Sequence, residues 1–121
     1  MKVNHLEIDG CNGRKISIDY RFKETQKSLT PVIYVHGFKG FKDWGASNLV
    51  ADSFASQGFL FLKFNFSHNG VTSNNLLDFV DLEAFGMNNY LLELKELGIV
   101  IDWLEASELN IQFSKLVVIG H

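Results

Sequence analysis

Three short segments of the sequence have residue types that could take part in chemistry, and each follows an apolar run. The first is His36-Gly37-Phe38-Lys39-Gly40, directly after Val32-Ile33-Tyr34-Val35. Because Gly37 has no side chain, the backbone can turn there and expose its amide groups. A backbone N–H in such a turn can stabilise the oxyanion that develops during acyl transfer. The alternative is a plain strand-to-helix turn that needs glycine for steric reasons alone, and spacing by itself favours this simpler interpretation.

The second segment is Asn65-Phe66-Ser67-His68-Asn69-Gly70-Val71-Thr72, at the end of an apolar run that begins at Phe59. His68 in this stretch could act as a base or a ligand. A lone histidine in a loop is more often solvated or hydrogen-bonded locally, and this is what we expect of it. Lys63 lies inside the apolar run, so we expect an ion-paired or snorkelling structural residue rather than a reactive amine.

The third segment is Gly120-His121, directly after the apolar run 116–119. An apolar strand that ends in Gly-His is the first half of a nucleophile elbow, G-x-S-x-G, in which the nucleophile occupies a strained strand-to-helix turn. The dipeptide alone is weak support for an elbow. Its position at the end of the fifth predicted strand gives it weight.

The elements that would position these segments follow from the hydropathy pattern. Residues 3–8 and 16–22 form a predicted hairpin, in which Ser17, Asp19 and Arg21 alternate with apolar residues and should lie on a solvated face. The three apolar runs predict buried strands separated by two helices, over roughly residues 44–57 and 89–107. The order β-β-β-α-β-α-β favours parallel βαβ units in a three-layer αβα sandwich, with ligands beyond the carboxyl ends of the strands.

Sequence patterns also predict how the two helices begin, pack and end. Asp43 should cap the first helix, Val50 and Phe54 should share a face, and Gly58 should end it. The second helix has an apolar stripe with glutamates, including Glu96, off it; the stripe comprises Tyr90, Leu94, Leu97, Ile101 and Leu104. Gly98 within this helix is tolerable if the helix approaches the sheet closely there.

Together these residues resemble the α/β-hydrolase family, specifically its bacterial esterase-like members related to dienelactone hydrolases. The resemblance covers the whole chain, residues 1–121, as one incomplete domain, and its most specific part is the His36-Gly37-Phe38 turn followed by Gly40, Lys42, Asp43 and Trp44. It implies that His36 and Gly37 belong to an oxyanion turn in which the Phe38 N–H is a donor. It also implies that Gly120 and His121 approach the elbow. The segment after the fourth strand departs from the family pattern D-x-R-G-x-G-x-S, because Asn65, Ser67, His68 and Thr72 replace Asp, Arg, Gly and Ser.

The resemblance implies the N-terminal portion of a serine hydrolase that cleaves a small carboxylic ester with a Ser-His-Asp triad. The nucleophile is expected immediately after His121, and the triad acid and histidine in a C-terminal half. We therefore expect the sequence to be truncated or interrupted at a modified residue, and the 121-residue chain alone to be poorly soluble and inactive. An aspartate after His121 would indicate dehalogenase or epoxide-hydrolase chemistry, and a cysteine a dienelactone-type enzyme. The alternative from another class is a non-catalytic hydrolase-fold domain used for binding or scaffolding.

Composition argues against several other classes of function. The net charge is −3 without a basic stripe, which gives nucleic-acid binding little support, and neither G-x-G-x-x-G nor G-x-x-x-x-G-K-[ST] occurs. No metal or cofactor is implied. The N-terminus does not resemble a signal peptide, and no apolar stretch approaches the ~20 residues that span a bilayer. Cys11 is the only cysteine. We therefore expect a cytoplasmic protein with no membrane partner. Oligomeric state cannot be deduced from these patterns.

Overall fold

A computed structural model describes residues 2–25, 28–37, 40–68 and 89–120. In these residues five strands form one mixed sheet, and helices lie between the later strands. The elements are β1 Lys2–Asp9, β2 Lys15–Phe22, β3 Thr30–Val35, α1 Ser47–Ser56, β4 Phe59–Asn65, α2 Tyr90–Ala106 and β5 Val117–Gly120, with short 3-10 turns at Cys11–Gly13 and Phe113–Lys115. The predicted element order is confirmed.

The sheet has the order β1-β2-β4-β3-β5. Its first half is antiparallel: β1 pairs with β2, and β2 with β4. Its second half is parallel, because β3 lies between β4 and β5 and runs in the same direction as both. The hairpin turn has left-handed backbone at Asn12 (φ 55°) and Gly13 (φ 72°), and asparagine and glycine adopt this conformation at little steric cost.

A helix covers each face of the sheet, which confirms the three-layer arrangement within the described residues. The larger core lies on the α2 side, where Val100 and Leu104 pack with Ile18, Leu62 and Phe64. On the opposite side Ala51 of α1 packs against Val32 and Phe61, with Phe54 beside them. No helix in the described ranges has the length and apolar character needed to cross a membrane.

The polar face of β2 was predicted to be solvated, and this was wrong. Asp19 is completely buried, and Arg21 and Ser17 are 4% and 9% exposed. The alternation itself is correct, since Ile16 and Ile18 lie in the core on the other face. The polar face is closed because α1 and the segment before it cover the charges, and each charge has a partner there.

The first helix begins later than predicted and has a different cap. It starts at Ser47, and its capping residue Ala46 makes no side-chain hydrogen bond. Asp43 cannot cap it because its carboxylate is bound to Lys42 and Lys63. The buried face is formed by alanines at positions 51 and 55, and Val50 is exposed. Gly58 follows the helix with φ 97°, as the sequence predicted.

The second helix is capped by the Asn89 side chain, which accepts a hydrogen bond from the Leu92 N–H at 2.9 Å. Its packing face differs from the predicted stripe: Leu104 is buried, but Tyr90 and Leu94 are 88% and 67% exposed. Glu96, predicted to lie off the stripe, is completely buried. The condition for a close approach at Gly98 is not met among the described residues, because none of their atoms outside the helix backbone would come within 4 Å of a Cβ there.

Candidate functional site

The parallel strands bring the predicted site segments to one edge of the sheet. Val35, the last residue of β3, pairs with Phe64 of β4 and with Gly120 of β5. The segments after β3 and β4 and the end of β5 therefore lie at the same level, at the carboxyl edge where ligands bind in open α/β sheets. Phe38 and His121 lie outside the described residues, and the candidate site comprises the residues around them.

The turn that follows β3 is closed by hydrogen bonds to a single carbonyl. The Gly40 N–H donates to the Gly37 oxygen at 2.8 Å, and Nδ1 of His36 lies 3.0 Å from the same oxygen. A side chain at Gly40 would be only 2.9 Å from that oxygen and 3.3 Å from Cβ of His36. Glycine is thus required at position 40 by close approach of the backbone.

His36 ties this turn to the end of β4. Its Nε2 accepts the Phe66 N–H at 3.2 Å, so the ring proton must be on Nδ1, which donates to the Gly37 oxygen. The ring is buried and meets the Phe66 ring edge-on at 5.0 Å. Burial lowers the pKa of His36, and the hydrogen bond to Gly37 only partly opposes this. Both ring nitrogens are used in neutral hydrogen bonds, so His36 holds the backbone and has no free nitrogen for proton transfer.

A second polar group joins the end of β4 to α2. Glu96 accepts the Ser67 N–H at 2.8 Å and the Cys11 N–H at 2.9 Å, and it also accepts the Ser67 hydroxyl. Nδ1 of His68 lies 2.7 Å from the same hydroxyl oxygen. Ser67, His68 and Glu96 are all buried, and His68 is therefore hydrogen-bonded locally but not solvated.

These three residue types could suggest a catalytic triad, but their order is wrong for one. In a Ser-His-acid triad the histidine lies between the serine and the carboxylate, so that it can remove the hydroxyl proton. Here the serine lies between the other two: its hydroxyl donates to Glu96 and accepts from His68. The group holds the β1–β2 turn, β4 and α2 together. Sequence analysis missed Glu96, although its spacing of four and eight residues from Val100 and Leu104 places it on the buried face.

An ion cluster lies beside the turn, on the α1 side of the sheet. We define it as Asp19, Lys42, Asp43 and Lys63, which form a closed ring of alternating charge. The lysine nitrogens lie 2.8 and 2.9 Å from Oδ2 of Asp19 and 2.8 and 2.7 Å from the carboxylate oxygens of Asp43. The prediction that Lys63 is an ion-paired structural residue is confirmed.

The two lysines of the cluster lower the pKa of both of its carboxyl groups. Burial alone would raise the pKa of Asp19, but hydrogen bonds and charges from Lys42 and Lys63 outweigh it and lower that pKa. The pKa of Asp43 is lowered by the same balance. Arg21 binds the other oxygen of Asp19 at 2.9 Å. In the described part of the chain, no three His, Cys, Asp or Glu side chains are grouped so that they could hold a metal ion.

Several solved α/β-hydrolase and esterase structures have the same fold as this chain. Est1E from Butyrivibrio proteoclasticus with ferulic acid bound has a TM-score of 0.74 at 17% identity, over 96% of this chain and 42% of that one. Esterase Est22 has a TM-score of 0.72 at 20% identity, over 98% and 34% of the two chains. Brefeldin A esterase, a bacterial homologue of human hormone sensitive lipase, has a TM-score of 0.66 at 18% identity, over 98% and 31%.

These likenesses establish the fold: the chain has the N-terminal part of an α/β-hydrolase fold, as its sequence resemblance predicted. The chain spans 31–42% of the length of the three structures named. No family model matches the sequence, and no curated protein matches it.

Proposed function

We propose that this chain is the N-terminal portion of a serine hydrolase that cleaves carboxylic esters. The observation that supports this most is the register of the parallel strands. Val35 pairs with Gly120, so β3 and β5 end side by side at the carboxyl edge of the sheet. A hydrolase needs its oxyanion donor and its nucleophile at neighbouring strand ends, because both must reach the same carbonyl group of the substrate.

In the proposed mechanism, a serine directly after His121 attacks the ester carbonyl carbon. A histidine in the C-terminal half takes the hydroxyl proton and then gives it to the leaving alcohol, and an aspartate orients that histidine. The Phe38 N–H donates to the oxyanion. Water then cleaves the acyl-enzyme and releases the acid. The described residues contribute the frame, because His36 and Gly40 both hydrogen-bond to the Gly37 carbonyl.

The proposed substrate is an ester with a small acyl group. The support comes from the neighbours, since Est1E has been solved with ferulic acid and DcsB with a substrate analogue. With only 14–20% identity to the esterases and hydrolases that share the fold, the choice of acyl group is left to experiment. A cytoplasmic location stays a prediction from the lone Cys11 and the N-terminal sequence.

The first test is to read the coding sequence beyond the codon for His121. The proposal predicts Ser-x-Gly there, with an aspartate and a histidine further downstream. The full-length protein, meaning the product of the whole coding sequence that contains residues 1–121, should then hydrolyse p-nitrophenyl acetate. A fluorophosphonate should label it once: the serine oxygen displaces fluoride from phosphorus, and the intact mass rises by one phosphonyl group.

The outcomes separate the proposal from its alternatives. Alanine in place of the serine should abolish both hydrolysis and labelling. An aspartate or cysteine at that position would replace serine chemistry by dehalogenase, epoxide-hydrolase or dienelactone-type chemistry. An elbow without any nucleophile, or a protein that neither hydrolyses esters nor takes the label, would contradict the proposal and favour a non-catalytic binding domain.

A further inference from the structure

The segment that leaves the candidate oxyanion turn is fixed to β4 by one side chain. The Lys42 N–H donates to Oδ1 of Asn65 at 2.7 Å. Both residues are buried, with 2% and 3% of their surface exposed. Asn65 is the last residue of β4, so this bond joins the exit of the turn to the carboxyl edge of the sheet. The entry of the turn is joined to the same strand end by the His36 bond to Phe66.

The ion cluster fixes the side chain of the same residue. Nζ of Lys42 lies 2.8 Å from both Asp19 on β2 and Asp43 beside it in the chain. The carbonyl of Lys42 also accepts the Ser47 hydroxyl at 2.6 Å, at the start of α1. The backbone N–H, the backbone carbonyl and the ammonium group of Lys42 are thus held by three different elements.

Stability alone does not account for this arrangement. Taking a charge out of water costs several kcal/mol, and well-packed apolar replacements of buried ion pairs are often neutral or stabilising. Such pairs give a single geometry instead, because each charge must keep its partners. A segment held this way cannot slide without exposing an unpaired buried charge. The place where a fixed geometry is valuable to a hydrolase is the turn, because misplacing a catalytic donor by about 1 Å can cost about 100-fold in rate.

We propose that Lys42 and Asn65 are positioning residues of the oxyanion turn, and that the ion cluster exists to fix Lys42. This rests on the proposed function. Asn65 acts through its side-chain oxygen: its Nδ2 has no hydrogen-bond partner among the described residues. A carboxylate at position 65 would keep the acceptor. Its buried charge would lower the free energy of unfolding, so the comparison is made on the kcat of the folded protein.

The test compares Asn65→Leu with Asn65→Asp in the full-length protein, using p-nitrophenyl acetate. Asn65→Leu should lower kcat by about 10- to 100-fold with little change in KM, because the donor is displaced while substrate binding remains. Asn65→Asp should recover most of that loss. The matched control is Gln112→Leu, which removes another amide side chain and its bond to Ser28, where β3 and β5 begin. It should leave kcat unchanged.

Amide exchange measured by mass spectrometry gives a second readout that does not depend on turnover. Residues 40–47 should exchange faster in Asn65→Leu than in the wild type, Asn65→Asp or Gln112→Leu. If the wild type hydrolyses no ester, the proposed function fails. Amide exchange still tests whether the Asn65 side chain holds the segment that contains Lys42. Should Asn65→Leu not fold, Ser47→Ala removes the bond to the Lys42 carbonyl and should produce smaller changes of the same kind. An unchanged kcat, an equal loss in Asn65→Asp, or unchanged exchange at 40–47 would overturn the proposal.

Discussion

Removing the charges of Asp19 and Lys63, singly and together, tests how the ion cluster is balanced. The two side chains are completely buried and directly opposite each other on β2 and β4, with Nζ 2.9 Å from Oδ2. Lys63→Met keeps most of the side-chain volume and leaves an excess of negative charge. Asp19→Asn keeps a polar group and leaves Lys42, Lys63 and Arg21 with an excess of positive charge.

The structure sets the expected sizes of the three effects. Each single variant leaves an uncompensated buried charge, which costs about 3–5 kcal/mol of unfolding free energy. The double variant retains two complete pairs, Lys42 with Asp43 and Arg21 with Asp52. Because its remaining charges are balanced, it should be no less stable than the worse single variant, which corresponds to a coupling energy of about 3 kcal/mol or more.

The measurement is urea unfolding of the full-length protein at neutral pH, with the m-value checked for each variant. The matched control is Asp9→Asn, because Asp9 pairs with Lys15 at the surface, where both side chains are more than half exposed. This control should leave the midpoint unchanged. Additive effects of the two cluster substitutions, or single variants as stable as the control, would refute the idea that the charges depend on one another.

Three further predictions concern residues near the candidate site. Gly40→Ala should destabilise the protein by about 1–3 kcal/mol, because the new Cβ would lie 2.9 Å from the Gly37 oxygen. Gly98→Ala, with open space around it among the described residues, should stabilise the protein by about 0.5–1 kcal/mol. The urea midpoint measures both effects. Burial lowers the pKa of His36 below its ordinary 6.5, so on acidification the unfolded chain binds the proton before the folded protein does. The free energy of unfolding should therefore fall as the pH drops below 6.5. His36→Asn should remove this contribution from the pH dependence of the urea midpoint. Burial raises the pKa of Cys11 above 9.0, so iodoacetamide at neutral pH should alkylate it slowly in the folded protein and faster in urea, as followed by mass.

The order of the elements along the chain and the three layers could be predicted because each depends on local patterns. The apolar runs that became β3 and β4 are too evenly apolar for half-buried strands, so the sequence indicates helices on both faces. The run that became β5 was also predicted to be buried, and this was wrong in the structure, where Val117 and Val118 are 44% and 45% exposed. Left-handed turn positions could also be predicted, as at Gly13 and Gly58, because glycine adopts them without steric cost. These features need no knowledge of which distant residues meet.

The charged interior could not be predicted from the same patterns. Hydropathy analysis assigns Asp19 and Arg21 to solvent because an isolated buried charge is too costly. That assumption fails when the charge has a partner, and the partner of Asp19 is set by the register of β2 on β4, which places it opposite Lys63. Register is a property of the assembled sheet. Glu96 was misassigned for the same reason, since the N–H groups that it accepts belong to Cys11 and Ser67, 85 and 29 residues away.

Three residues that depart from local rules lie where strands end and the candidate site begins. They are a buried lysine, an acid that does not cap the helix after it, and a buried amide at the end of a strand: Lys42, Asp43 and Asn65. Natural proteins violate local rules chiefly at functional or strained positions, where another requirement outweighs propensity. Asp43 lies three residues before the capping residue of α1, Ala46. Its carboxylate binds Lys42 and Lys63, and Lys42 is the residue whose backbone is held at the exit of the turn. The requirement that these departures satisfy is a fixed backbone beside the end of β3.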